Sequence, residues 1–100
     1  MPKRPHMPAD FRVGLARRHG VGPGESAEVP CYWCDKTGQI VWPAGLSTPS
    51  FVDLEIDHLI PIARQGRQVL SNLALACPGC NRERGAQLPP WQPYRLRRAS

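Results

Sequence analysis

The residues best suited to chemistry lie close together between positions 54 and 85 of this 100-residue chain. A histidine changes charge near neutral pH and suits proton transfer, whereas carboxylate and amide oxygens suit a hard divalent cation. Such a set indicates hydrolysis in which a base activates water and a cation stabilises the developing negative charge. In chain order the segment holds Asp57, His58, Asn72, Cys77, Cys80 and Asn81.

Four cysteines form two Cys-x-x-Cys pairs, Cys31 with Cys34 and Cys77 with Cys80, separated by 42 residues. Each pair can direct two thiolates at one point, and the two pairs together supply the tetrahedral sulfur shell that structural zinc prefers. Because such a shell is closed to water, this zinc would hold the fold and do no chemistry. Two disulfides are the alternative. The basic start of the chain has no apolar run of signal-peptide length, which favours zinc and a cytoplasmic location.

Charge is distributed unevenly along the chain, which carries a formal net charge of +5. Residues 1–20 contain five Lys/Arg against one acid, residues 21–60 one against six, and residues 61–100 seven against one. This layout suits a polyanion held by basic flanks around a centre that binds a cation. A soluble basic surface with disordered tails would give the same pattern. No stretch approaches the length of a membrane span.

The elements that must position these residues fit one small α+β domain, because 100 residues leave room for a single modest core. Hydrophobic patterning predicts a short basic helix over 9–19, strands over 39–42, 51–57 and 73–76, and a helix from 78 to about 87. We expect a basic arm and short helix at 1–28, the functional domain at 29–87 and a basic tail at 88–100, from which Trp91 and Tyr94 pack back.

The order Asp-His, Asn, Cys-x-x-Cys-Asn and a basic residue before glycine resembles the HNH endonuclease family over roughly residues 31–85. The resemblance implies a ββα-metal fold stapled by the four-cysteine zinc site. It departs from the family pattern at Gly66-Arg67, where the family has two glycines.

The resemblance also implies a role for each site residue. His58 would be the general base, and Asp57 and Asn81 would ligate the catalytic metal. Oxygen ligands favour magnesium or manganese over nickel or zinc. Asn72 would tie the loop around Gly66 and orient His58 without reacting. The residues expected to contact substrate phosphates are Arg84, Arg82 and Arg64.

The implied function is hydrolysis of DNA phosphodiester bonds, by nicking or by double-strand cleavage. One such site cuts one strand at a time and leaves a 5′ phosphate and a 3′ hydroxyl. Members of this kind occur in phages and in restriction-like systems, whose other components are expected partners. The alternative is a zinc-binding module that holds nucleic acid without cutting it, which has no need for Asp57, His58, Asn72 and Asn81 together. A toxin nuclease domain is a third hypothesis, disfavoured by a chain that begins with its own Met.

Overall fold

The computed structural model describes residues 8–93, which form two small antiparallel sheets and two α-helices. The predicted contacts of Tyr94 lie outside the described residues, as do positions 1–7 and 94–100 of the two basic ends. In chain order the elements are α1 (Ala9–Arg18), β1 (Ser26–Pro30), β2 (Thr37–Val41), β3 (Ser50–Val52), β4 (Glu55–His58), two 3₁₀ turns (Ile62–Arg64 and Leu70–Asn72), β5 (Leu73–Ala76) and α2 (Pro78–Arg84).

The strands belong to two sheets that separate at Asp53. Strands β1, β2 and β3 form one antiparallel sheet in that order, and β4 pairs with β5 in a two-stranded unit. A single strand over 51–57 was expected, and this prediction is wrong. Asp53 adopts a left-handed backbone conformation with φ of 58°, which no strand interior accommodates. The break turns the chain from the first sheet into the second.

The main core includes residues from before and after position 29, the expected start of the functional domain. Leu15 and Ala16 of α1 are fully buried, and they share one cluster with Ile40 and Leu73. The helix predicted over 9–19 is therefore confirmed, with its apolar face covered by the sheet residues. A separate, smaller cluster surrounds the cysteines, and Trp91 packs against it as predicted.

Arginines of α1 hold the helix against the rest of the fold. Arg18 donates from both terminal nitrogens, at 2.7 Å each, to the carbonyl oxygens of Leu70 and Leu73. Arg17 stacks over the Trp42 ring with 5.5 Å between the guanidinium carbon and the ring centroid. Both side chains are exposed but are tied to the body of the protein by these contacts, so they contribute less to a free basic arm than the sequence suggests.

Helix α2 begins directly at the second cysteine pair. Cys77 is the N-cap, its sulfur accepting the Cys80 backbone N–H at 3.4 Å, and Pro78 fits the first turn, where no N–H partner is needed. The helix ends at Arg84 because Gly85 adopts a positive φ of 53°. It is three residues shorter than predicted, yet it still contains Asn81.

Candidate metal centre and nuclease site

The four cysteine sulfurs form one compact cluster, with all ligand atoms within 4.8 Å of one another. The sulfurs of Cys34 and Cys77 are 3.8 Å apart. Four thiolates about 2.3 Å from a tetrahedral zinc lie roughly 3.8 Å from each other, so the cluster fits this ion. Such an ion would join the loop after β1 to the start of α2.

Burial makes two of the four thiols, those of Cys34 and Cys80, difficult to ionise without a cation. It raises the pKa of Cys80, and neighbouring thiols add to the effect. It likewise raises the pKa of Cys34. Burial also acts upward on Cys77, but hydrogen bonds from the Cys80 backbone and the neighbouring thiols lower the pKa of Cys77 on balance. A bound cation would offset the cost of burying several thiolates together.

His58 ends strand β4, where it pairs in register with Leu73 of β5. Its side chain is half-buried, and Nε2 lies 3.3 Å from Oε1 of Gln68. Gln68 was not anticipated, since a glutamine ten residues away in a loop carries no sequence signal. The contact holds one edge of the imidazole, and Nδ1 takes no part in it.

Asn72 closes the loop that follows His58. Its side chain accepts the Ile60 backbone N–H at 2.8 Å and donates to the carbonyl oxygens of Ile60 at 3.0 Å and Arg67 at 2.9 Å. The Asn72 carbonyl also accepts from Leu59 N at 2.8 Å. These are the side chain-to-backbone bonds expected of Asn72, and its influence on His58 stays a prediction.

Asp57 is buried and bound to Arg84. Arg84 NH2 donates to Oδ1 at 2.7 Å and Arg84 Nε to Oδ2 at 3.2 Å, while the Trp33 indole N–H donates to Oδ2 at 2.7 Å. Arg84 is 1% exposed, and its guanidinium carbon lies 4.7 Å from the Trp33 ring centroid. It also donates to the Leu59 carbonyl oxygen.

The burial of Arg84 counts against the expectation that it contacts substrate phosphates, and that role stays a prediction because Arg84 also lines the pocket described below. The spacing from Asn81 placed it on the same helical face, but that face packs inward against β4. As folded, its guanidinium is used by Asp57 and backbone carbonyls and is not presented to solvent. Arg82 and Arg64 are exposed, and Arg64 Nε donates to the Ala86 carbonyl oxygen at 3.2 Å.

Asn81 contacts an acid from the facing strand. Its amide nitrogen donates to Glu55 Oε1 at 2.8 Å, so its carbonyl oxygen is not used in that bond. Glu55 is half-buried, two residues before Asp57 on the same strand. The sequence gives only a weak indication of this contact, because an acid two positions before Asp57 on a strand is equally typical of an exposed edge.

One pocket of about 540 Å³ brings most of these groups together. Asn72 lies outside its lining and acts on the loop beside it, and neither Arg64 nor Arg82 belongs to the lining. Arg12, which the sequence pattern did not single out, reaches the pocket from α1. The polar and charged residues that line it are Arg12, Glu55, Asp57, His58, Asn81 and Arg84.

The β4–β5 pair and α2 form a ββα unit beside a four-thiol cluster, which is the architecture of a small zinc-stapled ββα domain. The family model described as HNH endonuclease matches residues 31–87, more than half of the chain, and the chain belongs to this family. Comparisons with curated proteins and with solved structures found no match. Among residues 8–93, neither helix has the length and apolar character needed to cross a bilayer.

Proposed function

We propose that this protein is a divalent-metal-dependent endonuclease that hydrolyses DNA phosphodiester bonds. The observation that carries the proposal is that His58, Asn81 and two carboxylates line one pocket. A fold-stabilising domain has no need to keep a base and a set of oxygen donors at one opening. Family membership supports a nuclease-type function.

The oxygen donors of this pocket fit magnesium or manganese. A carboxylate oxygen accepts about two bonds, so Asp57 Oδ1, bound by Arg84 NH2, keeps one acceptor position. The Asn81 carbonyl oxygen supplies a second ligand, and Glu55 is close enough to Asn81 to assist. A hard cation held there would supply positive charge against the charge that develops on the phosphate and the leaving oxygen.

His58 is the proposed general base. In the tautomer with the proton on Nε2, this nitrogen donates to Gln68 Oε1, and Nδ1 is the nitrogen that accepts a proton from water. The water oxygen bonds to phosphorus as His58 takes its proton, and the bond from phosphorus to the 3′ oxygen breaks. The departing 3′ oxygen takes a proton from bulk water, so the products are a 5′ phosphate and a 3′ hydroxyl. Asn72 holds the loop beside His58 and takes no part in bond making.

Nicking of supercoiled plasmid DNA in magnesium tests the proposal. We expect wild type to convert plasmid to the open circle, and His58→Ala to lose activity by about 100-fold or more, as expected for loss of a general base. The variant should keep its zinc and its thermal unfolding midpoint, because His58 is half-buried at a strand end. Full activity in His58→Ala would remove this residue from the mechanism.

A non-catalytic zinc module that holds nucleic acid is the second candidate. The buried pair between Asp57 and Arg84 favours it, because an Asp57 carboxylate held in an ion pair can serve the fold alone and need not bind a catalytic metal. The two functions separate in the same assay. A pure protein that binds DNA but gives no nicking with magnesium or manganese, at any concentration tested, supports the module.

A further inference from the structure

The cations around the candidate active pocket are unequally available. Arg12 and Arg84 are the only Lys or Arg residues in its described lining. Arg84 is 1% exposed and paired with Asp57, so its charge is already compensated. Arg12 is half-buried and arrives from α1, outside the residues that the family model matches. The pocket therefore has one accessible guanidinium.

Two contacts hold Arg12 in place without neutralising it. Its NH2 donates to the Pro49 carbonyl oxygen at 2.7 Å, and its guanidinium carbon lies 5.5 Å from the Phe51 ring centroid. Within residues 8–93 no acid forms an ion pair with Arg12, and its Nε has no hydrogen-bond partner. Because Nε is buried, the donors open to a ligand are those of the terminal nitrogens, and a fixed guanidinium with such donors suits an anion with several acceptor oxygens.

The other charged groups of the pocket and Asn81 already contact one another, so Arg12 is the group available to bind such an anion. Arg84 compensates Asp57, and the Asn81 amide donates to Glu55. We propose that Arg12 binds a non-bridging oxygen of the substrate phosphodiester at the pocket that contains His58, in the role first expected of Arg84. The proposal rests on the nuclease function above and adds a phosphate-binding residue from a helix beyond the matched domain.

Binding without cutting gives the first test. In a His58→Ala background with no magnesium or manganese added, so that the zinc stays bound, a labelled DNA duplex is titrated with protein across a salt series. One lost phosphate contact lowers the log–log salt slope by about 0.9, so Arg12→Gln should lower it by about one. Arg12→Lys, which keeps the charge, should retain most of the slope, and it serves as the folded variant if Arg12→Gln is unstable.

The matched control separates phosphate binding from helix docking. Arg18 also bonds α1 to the body through two backbone carbonyls, but it does not line the pocket. Arg18→Gln should lower the thermal midpoint while leaving the salt slope within error of the parent. With His58 intact, Arg12→Gln should raise KM and lower kcat/KM by about 10–100-fold, the loss of one charge-assisted contact.

Each result has a defined meaning. A smaller slope in Arg12→Gln with a normal slope in Arg18→Gln supports the proposal. Equal slopes in parent and Arg12→Gln, with equal plasmid nicking, overturn it while leaving the nuclease function intact. Equal losses in both variants that follow their thermal midpoints also overturn it, since Arg12 would then only dock α1. Wild type that neither binds nor nicks DNA defeats the nuclease proposal itself.

Discussion

Asp57, a proposed metal ligand, also forms a buried ion pair with Arg84, which metal binding does not require. Both side chains are nearly inaccessible, at 6% and 1%, and they share a bond of 2.7 Å. Removing one partner of such a pair leaves an uncompensated buried charge, whereas the isolated pair contributes little net stability. Their substitution therefore tests the fold as well as the chemistry.

We predict that Arg84→Met destabilises the protein by about 3–5 kcal/mol, because the Asp57 carboxylate loses its buried partner. Arg82→Met is the control on the same helix, since Arg82 is exposed and a change there costs within about 0.5 kcal/mol. Denaturant unfolding at pH 7 with zinc present measures both. A small change in Arg84→Met would show that solvent or another cation reaches Asp57.

For single residues, the sequence predicted which side chains share a face better than it predicted how buried each side chain is and what it contacts. The step from Asn81 to Arg84 predicted a shared helical face, which the structure has, but not that this face points at β4. Burial of Arg84 depends on Trp33 and Asp57, which come from distant parts of the chain. Arg12 was missed for the same reason, because its neighbours Pro49 and Phe51 are remote in sequence.

At the scale of elements, the loop between β4 and β5 depends on one glycine. A Cβ at Gly66 would overlap the carbonyl oxygen of Ile60, a backbone atom that cannot move without moving the loop. The Gly66 N–H donates to the Pro61 carbonyl oxygen at 2.9 Å, and Asn72 bonds to Ile60 from the other side. This close approach explains why the first glycine of the expected pair is present even though Arg67 stands at the second.

We predict that Gly66→Ala lowers stability by about 2–3 kcal/mol, as overpacking against backbone does, and lowers nicking by about 10–100-fold as His58 is displaced. The control is Gly79→Ala in α2, where an added Cβ meets no atom within 4 Å. Thermal unfolding and plasmid nicking are measured for both variants. Wild-type behaviour of Gly66→Ala would mean that the loop rearranges freely and does not position His58.

Elements with strong local signals were predicted well. Strand β5 was predicted with its observed bounds, and α2 began at Pro78 as expected, because the Cys-Pro start and apolar run are local features. Strand β1 was missed, since residues 26–30 pair only through contacts with β2. The break at Asp53 was also missed. The alternation of apolar and polar residues continues through Asp53 in the sequence. Only the pairing of β3 with β2 and of β4 with β5 reveals the turn between them.

At the scale of the whole molecule, the cysteine cluster joins two parts of the chain that are remote in sequence. It links the loop after β1 to α2, and α2 carries both Asn81 and Arg84 into the pocket. Structural zinc contributes about 10 kcal/mol or more to folding in peptide models, which exceeds the usual net stability of a small domain. Loss of the metal should therefore disrupt the pocket and the fold together.

We predict one zinc per chain and unfolding when it is removed. A strong chelator should lower the thermal midpoint by 15 °C or more, on the scale of about 4–8 °C per kcal/mol for a domain of this size, and zinc should restore it. Cys77→Ser should bind zinc weakly and populate the unfolded state.

A reductant separates the zinc site from the disulfide alternative. Two disulfides would make the protein sensitive to reductant and indifferent to chelator, whereas a zinc site gives the reverse. Reduced, folded protein that contains no zinc would contradict the prediction, and plasmid nicking followed in parallel would show whether activity is lost with the metal or only with the fold.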